Sequence, residues 1–186
     1  DSTVMKILYL ACQSLRPSRT GSVEVLVPSC QDGDAYDSGS LVMLMTDMDA
    51  KSCLGEELMR QVTFEIVAIG NELLIGKTLD TNSHWLARQI GELGGELRQL
   101  TTVRDRHDEI VSAIRAALSR HPDFIITLGG LGPTHDDITL SSISRLLKRP
   151  LVLNRAALDL LRRRYLERFG PGVNLTAPRI KMAKFP

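Results

Sequence analysis

The sequence predicts an α/β domain in which helices cover both faces of a mainly parallel sheet. Three observations carry that prediction. β-branched apolar runs of strand length alternate with amphipathic helical stretches, the connections between them are short, and the alternation is sustained from residue 59 onward. At 186 residues the chain has room for one such domain and an appendage. A domain of this size buries ~70% of the surface its unfolded chain exposes, so Cys12, Cys30 and Cys53 are not needed as a disulfide framework. Charged residues make up 24% and hydrophobic ones 43%, and no apolar run approaches the ~18 residues of a spanning helix. Coiled-coil, collagen and membrane-spanning classes are thereby excluded, and a net charge of +1 argues against a nucleic-acid partner.

Residues 1–58 read as an accessory or weakly ordered segment. They hold 4 Lys/Arg and 9 Asp/Glu, a net of −5, whereas 59–186 hold 19 and 13, a net of +6. Their apolar stretches at 7–11, 23–27 and 41–45 are short and sustain no period. Residues 5–12 resemble a leader, but the apolar run is shorter than an ordinary ~7–15-residue core. Met59 reads as the natural start of the domain, with the cysteines spectators in a reducing cytosol.

The domain elements follow in order. Residues 62–69 are a β-branched apolar run ended by Gly70, the pattern of a strand buried on both faces. A helix follows, capped by Asn82 or Ser83, with Leu86, Ile90 and Leu93 at helical spacing before Gly94 and Gly95. A strand at 97–103 and a helix at 108–120 come next, the latter striped by Ile110, Ile114, Ala117 and Leu118. A third strand spans 123–128. Beyond it lie a helix at about 138–147, an extended piece at 150–153 and a helix at about 155–169. That last helix sets Leu158, Leu161 and Tyr165 on one side and Arg162, Arg163, Arg164 and Arg168 on a solvated face. After residues 181–184 the sequence ends at Pro186 with no further strand or helix expected, so it reads as a domain cut short at its C-terminus.

In open parallel sheets ligands bind beyond the carboxyl ends of the strands. Three polar segments begin there: Gly70-Asn71-Glu72 running on to Asp80-Thr81-Asn82, then Arg104-Asp105, and then residues 129–139. Taken singly, each has an ordinary explanation in turns and helix caps. The first nearly spells a P-loop, but five residues rather than four separate Gly70 from Gly76-Lys77-Thr78, and Leu73, Leu74 and Ile75 are too bulky for a backbone cradle. His135 stands where a dinucleotide fingerprint would place its third glycine after Gly130 and Gly132. The glycine run is instead a phosphate site in its own right. Glycines let backbone N–H groups approach an anion, a helix N-terminus follows, and Thr134 and Thr139 supply hydroxyls. Asp136 and Asp137 would repel a phosphate unless a divalent cation of the magnesium, manganese or cobalt type lies between. Asp136 is the expected cap of the following helix, and His135 reads as a loop histidine or a proton donor in reserve.

At these residues the chain resembles a known family. Gly70-Asn71-Glu72-Leu73-Leu74 with Gly76, Asp80-Thr81-Asn82, Thr101-Thr102-Val103 with Asp105, and Gly129-Gly130-Leu131-Gly132-Pro133-Thr134 followed by Asp136-Asp137-Ile138-Thr139 are similar to the N-terminal domain of the CinA (competence/damage-inducible) family. That domain is similar in turn to the molybdopterin-binding fold of the molybdenum-cofactor enzymes MogA and MoeA. The resemblance runs from about residue 63 to 186 and covers none of 1–58. It implies a three-layer α/β/α domain, cytosolic, often self-associating, that binds a nucleotide or pterin phosphate such as molybdopterin. In the CinA branch it implies metal-dependent hydrolysis of the ADP-ribose pyrophosphate.

Carried over by position, Asp80, Asp105 and Asp137 match the acidic positions of the shared site. Asp137, Asp136 and Asp105 are the metal candidates, with Asp105 also able to orient a water and Asp80 to meet ribose hydroxyls. Gly70, Asn71, Glu72, Asn82, Gly129, Gly130, Gly132, Thr134 and Thr139 are the substrate and phosphate candidates. The molybdopterin enzymes usually carry threonine where this chain has Leu131, which favours the CinA branch.

Overall fold

The computed structural model describes the backbone at residues 24–26 and 41–45 and the chain from 61 to 186. The elements in order are β1 (Glu24–Leu26), β2 (Leu41–Met45), β3 (Thr63–Ile69), α1 (Asn71–Leu74), α2 (Thr81–Glu92), β4 (Glu96–Val103), α3 (His107–Ser119), β5 (Phe124–Leu128), α4 (Thr139–Leu147), β6 (Val152–Leu153), α5 (Arg155–Phe169), α6 (Ala177–Lys181) and β7 (Lys184–Phe185).

The main sheet runs β1-β2-β5-β3-β4. Its centre is the expected parallel set, β3 lying parallel to both β4 and β5. All seven residues of β3 and all five of β5 are buried, which explains why both read as mainly apolar runs and not as an apolar/polar alternation. Alternation sorts their side chains between two cores. Val67, Ile69 and Ile125 pack on one face with Ile110, Ile114 and Ala117 of α3 and Leu140 and Ile143 of α4. Phe64, Ile66, Phe124, Ile126 and Leu128 pack on the other with Leu86 and Ile90 of α2. Phe64 and Phe124 stack with centroids 5.1 Å apart. This is the three-layer α/β/α arrangement.

Two of the short apolar stretches within 1–58 form strands on this sheet. β2 lies antiparallel to β5 along its whole length, and β1 antiparallel to β2. The leader-like run at 5–12, the cysteines and the rest of the segment read as accessory lie outside the described residues.

Other differences have local causes. α1 is a helix the sequence did not signal, because its four residues are too few to show a helical period. α2 is capped by Asp80, whose Oδ1 accepts from Ser83 N at 2.9 Å, so Asn82 and Ser83 lie inside the first turn rather than at the cap. α4 is not capped by Asp136; its N-cap is Ile138, with no side-chain bond. α6 and β7 occupy a stretch with no expected elements, where Ala183 and Phe185 are buried and β7 pairs with β6.

The two ends of the parallel strands differ in character. At the amino end Thr63 N and Oγ1 each donate to Asp123 Oδ2 at 2.8 Å, and Glu65, 2% exposed, takes a two-point ion pair from Arg120. At the carboxyl end Ile69 lies beside Val103, and Ala68 beside Leu128. The three polar segments therefore leave the sheet at one edge.

Candidate functional site

Each strand exit is held by hydrogen bonds to a neighbouring exit. Gly70 N donates to Val103 O at 3.0 Å, and Asn71 N donates to Asp105 Oδ2 at 2.8 Å. Asp105 thus closes the first turn of α1 from 34 residues away. Glu72 is exposed, and its carboxylate lies over Gly70, so a Cβ there would come within 2.7 Å of Oε1. Beyond Asp105, Glu109 accepts from Arg104 Nε at 3.1 Å and lies 2.8 Å from Nη2. That hydrogen bond holds the Glu109 carboxyl below its ordinary value and the Arg104 guanidinium above its own.

The glycine loop is folded back tightly on β3 and α4. Gly129 has φ 91, and a Cβ on it would lie 2.1 Å from the Ile69 carbonyl oxygen. Gly130 has φ 64, and its Cβ would lie 2.3 Å from Thr139 Oγ1. Neither position accepts another residue without displacing backbone or the head of α4. Thr139 fastens the loop by donating from Oγ1 to Gly129 O at 2.8 Å and from its backbone N to Gly130 O at 3.2 Å. Leu131 points the other way, into the apolar core.

Past Gly132 the loop closes on itself. Asp137 Oδ2 accepts from Thr134 N at 2.8 Å and from Thr134 Oγ1 at 2.5 Å. The same carboxylate covers Gly132, where a Cβ would sit 2.7 Å from Oδ2. Because Asp137 is turned back toward Thr134, the first N–H groups of α4 have no side-chain cap. Its first N–H, that of Thr139, is taken by Gly130 O, so the partially positive N-terminus of this nine-residue helix is tied to the glycine loop by backbone alone.

The candidates thus assemble as bonded groups: Asn71 with Asp105, Gly129 and Gly130 with Thr139, and Gly132 and Thr134 with Asp137. Asp80 serves α2; its other oxygen, Oδ2, and Ser83 Oγ are buried and have no partner among the described residues. Asn82, His135 and Asp136 are exposed. Each of the three principal aspartates already binds a backbone N–H through one oxygen. Among the described residues no group of three His, Cys, Asp or Glu is clustered as a metal ion would need.

One residue at the site was not among the candidates the sequence offered. Lys181 Nζ donates to Thr134 O at 2.8 Å and to Asp137 O at 2.6 Å. No motif or spacing signals it, because the contact joins positions 44 and 47 residues apart.

A family model described as a probable molybdopterin binding domain matches residues 65–182. A protein from Metallosphaera sedula is 44% identical over 124 residues, 67% of this chain and 46% of that protein. Another, from Aeropyrum pernix, is 45% identical over 121 residues, 65% of this chain and 44% of that protein. The chain spans less than half the length of these curated relatives. Among solved structures, the protein CinA of unknown function from Thermoplasma acidophilum aligns with a TM-score of 0.57 at 32% identity, covering 67% of this chain and 70% of that one.

Proposed function

Because this chain belongs to the molybdopterin-binding domain family, we propose that its glycine loop and the head of α4 bind the phosphate end of a pterin or nucleotide. The observation that carries the proposal is the uncapped N-terminus of α4, set beside backbone that cannot carry a side chain. A favourable helix dipole and close backbone approach are what a phosphate site uses. The binding unit is centred on residues 59–186, with β1 and β2 of 1–58 added to the edge of its sheet. The setting is cytosolic, the ligand is a small molecule rather than nucleic acid, and self-association accompanies the fold. Among the described residues no helix is long and apolar enough to cross a membrane.

The finer reading is hydrolysis of the pyrophosphate in ADP-ribose, a water replacing the bridging oxygen to give AMP and ribose 5-phosphate. It rests on the resemblance to the CinA branch, with which two observations agree: Leu131 is committed to the core and offers no hydroxyl, and a CinA protein of unknown function is 32% identical. Asp105 and Asp137 each keep one carboxylate oxygen outside the hydrogen bonds described above, and those oxygens are available to orient a water.

Calorimetric titration of the full chain with ADP-ribose and with a phosphorylated pterin tests the binding. Product analysis with and without divalent ions tests the hydrolysis. Gly130→Val is expected to weaken phosphate-ligand binding more than tenfold, ~1.4 kcal/mol. Unchanged affinity in a folded Gly130→Val protein would remove the glycine loop from the site. Tight pterin binding with no turnover of ADP-ribose under any ion would leave a binding module.

A further inference from the structure

The glycine–aspartate loop carries a charge conflict. Asp136 and Asp137 lie within the segment that would receive an anion, and two carboxylates at short range oppose it. Asp137 is partly neutralised as an acceptor, with Oδ2 holding Thr134 N and Oγ1, but it keeps its formal charge. On sequence grounds a divalent cation was the expected remedy.

The structure offers a cation from the chain itself. Lys181 Nζ sits on the carbonyls of Thr134 and Asp137, at 2.8 and 2.6 Å. An ammonium has three N–H donors, so one remains after those two bonds, together with the whole positive charge. Lys181 is only partly exposed.

Its reach is fixed from behind. Lys181 is the last residue of α6, whose first turn contains Pro178. Immediately after it Ala183 and Phe185 are 1% and 8% exposed, and Phe185 belongs to the core under α3 and α4. Asn154 N donates to Ala183 O at 2.8 Å, and β7 pairs with β6. A lysine tethered in this way has already lost much of its rotamer freedom before any ligand arrives, which lowers the cost of recruiting it.

We propose that Lys181 is the anion-balancing residue of this site: its ammonium, seated on the loop carbonyls, offsets Asp136 and Asp137 and gives its remaining N–H to the bound phosphate, so that the loop accepts a phosphate without a divalent ion. The proposal rests on the reading that the loop binds phosphate.

The test uses the full chain and inorganic pyrophosphate as the probe, titrated in chelator and again with magnesium. Wild type is expected to bind in chelator. Lys181→Gln keeps donors for the carbonyls but is neutral; it is expected to bind at least tenfold more weakly in chelator, with a shallower dependence of affinity on salt. Lys181→Arg is expected to recover affinity to within about threefold. A merely structural brace would move the thermal midpoint but not the salt dependence. If Lys181→Gln binds pyrophosphate like wild type while Gly130→Val loses it, the role of Lys181 is overturned and the phosphate site stands. If wild type binds pyrophosphate in neither condition, the phosphate reading itself falls. Lys181→Met is the second variant should Lys181→Gln fail to fold, judged by the same two readouts.

Discussion

Arg120→Met should unfold this domain more easily than almost any other exposed-to-apolar change in it. Glu65 occupies the middle of β3, its side chain 2% exposed, and its two oxygens accept from Arg120 Nε at 2.7 Å and Nη2 at 2.6 Å. Removing the guanidinium strands a carboxylate in the sheet, and breaking a buried pair by deleting one partner costs about 3–5 kcal/mol. The Arg120 side chain is 38% exposed, so water can partly replace it, and the lower end, about 3 kcal/mol, is expected. For a chain of this length each kcal/mol moves the melting midpoint by about 2–4 °C, so the variant should melt roughly 6–12 °C lower. Removing both partners, Glu65→Leu with Arg120→Met, should recover most of that loss, because no charge is then left buried. The pH sign is also determined. The hydrogen bond from Arg120 to Glu65 raises the arginine above its ordinary value, so its contribution is complete below that value and is lost only as pH rises through the raised one. The arginine's share should therefore not diminish as pH rises from about 7 to 9. Urea unfolding followed by circular dichroism measures it. A loss below about 0.5 kcal/mol at neutral pH would show that Glu65 finds another partner or water, and the argument from burial would fail.

Gly129→Ala should cost about 2 kcal/mol or more, since a left-handed conformation is combined with a Cβ 2.1 Å from the Ile69 carbonyl oxygen; a melting midpoint equal to wild type would contradict it. Asp137→Asn should retain phosphate binding better than Asp137→Ala, because an amide oxygen can still accept from Thr134 and keep the loop closed. Equal losses in the two variants would instead assign the carboxylate's charge, not its hydrogen bonds, to the ligand. Arg104 holds Glu109 below its ordinary value, so that contribution is present above the usual glutamate range, about 4.3, and is lost as pH falls through the lowered folded value. Amide exchange at the start of α3 should accelerate there relative to its centre, and uniform acceleration along α3 would refute the link.

Periodicity and turn chemistry are properties of a few neighbouring residues, and they sufficed for the framework. The apolar runs of β3 and β5, the stripe Ile110-Ile114-Ala117 and the spacing Leu86-Ile90 each required one layer of an α/β/α sandwich, and parallel strands required that Gly70, Asp105 and Gly129 emerge at one edge. The glycines of the loop were legible for the same reason, since their backbone conformation is a local demand. The aspartates were not. Asp80, Asp105 and Asp137 looked equivalent as acids at strand ends, yet one caps α2, one holds α1 from 34 residues away, and one closes a turn four residues long. What a carboxylate or an ammonium does depends on which donor or acceptor the fold brings within about 3 Å, and that partner can lie anywhere in the chain. Lys181 on the loop carbonyls and Arg120 on Glu65 were decided by tertiary structure alone, because sequence spacing carries no information about groups that meet across 44 or 55 residues.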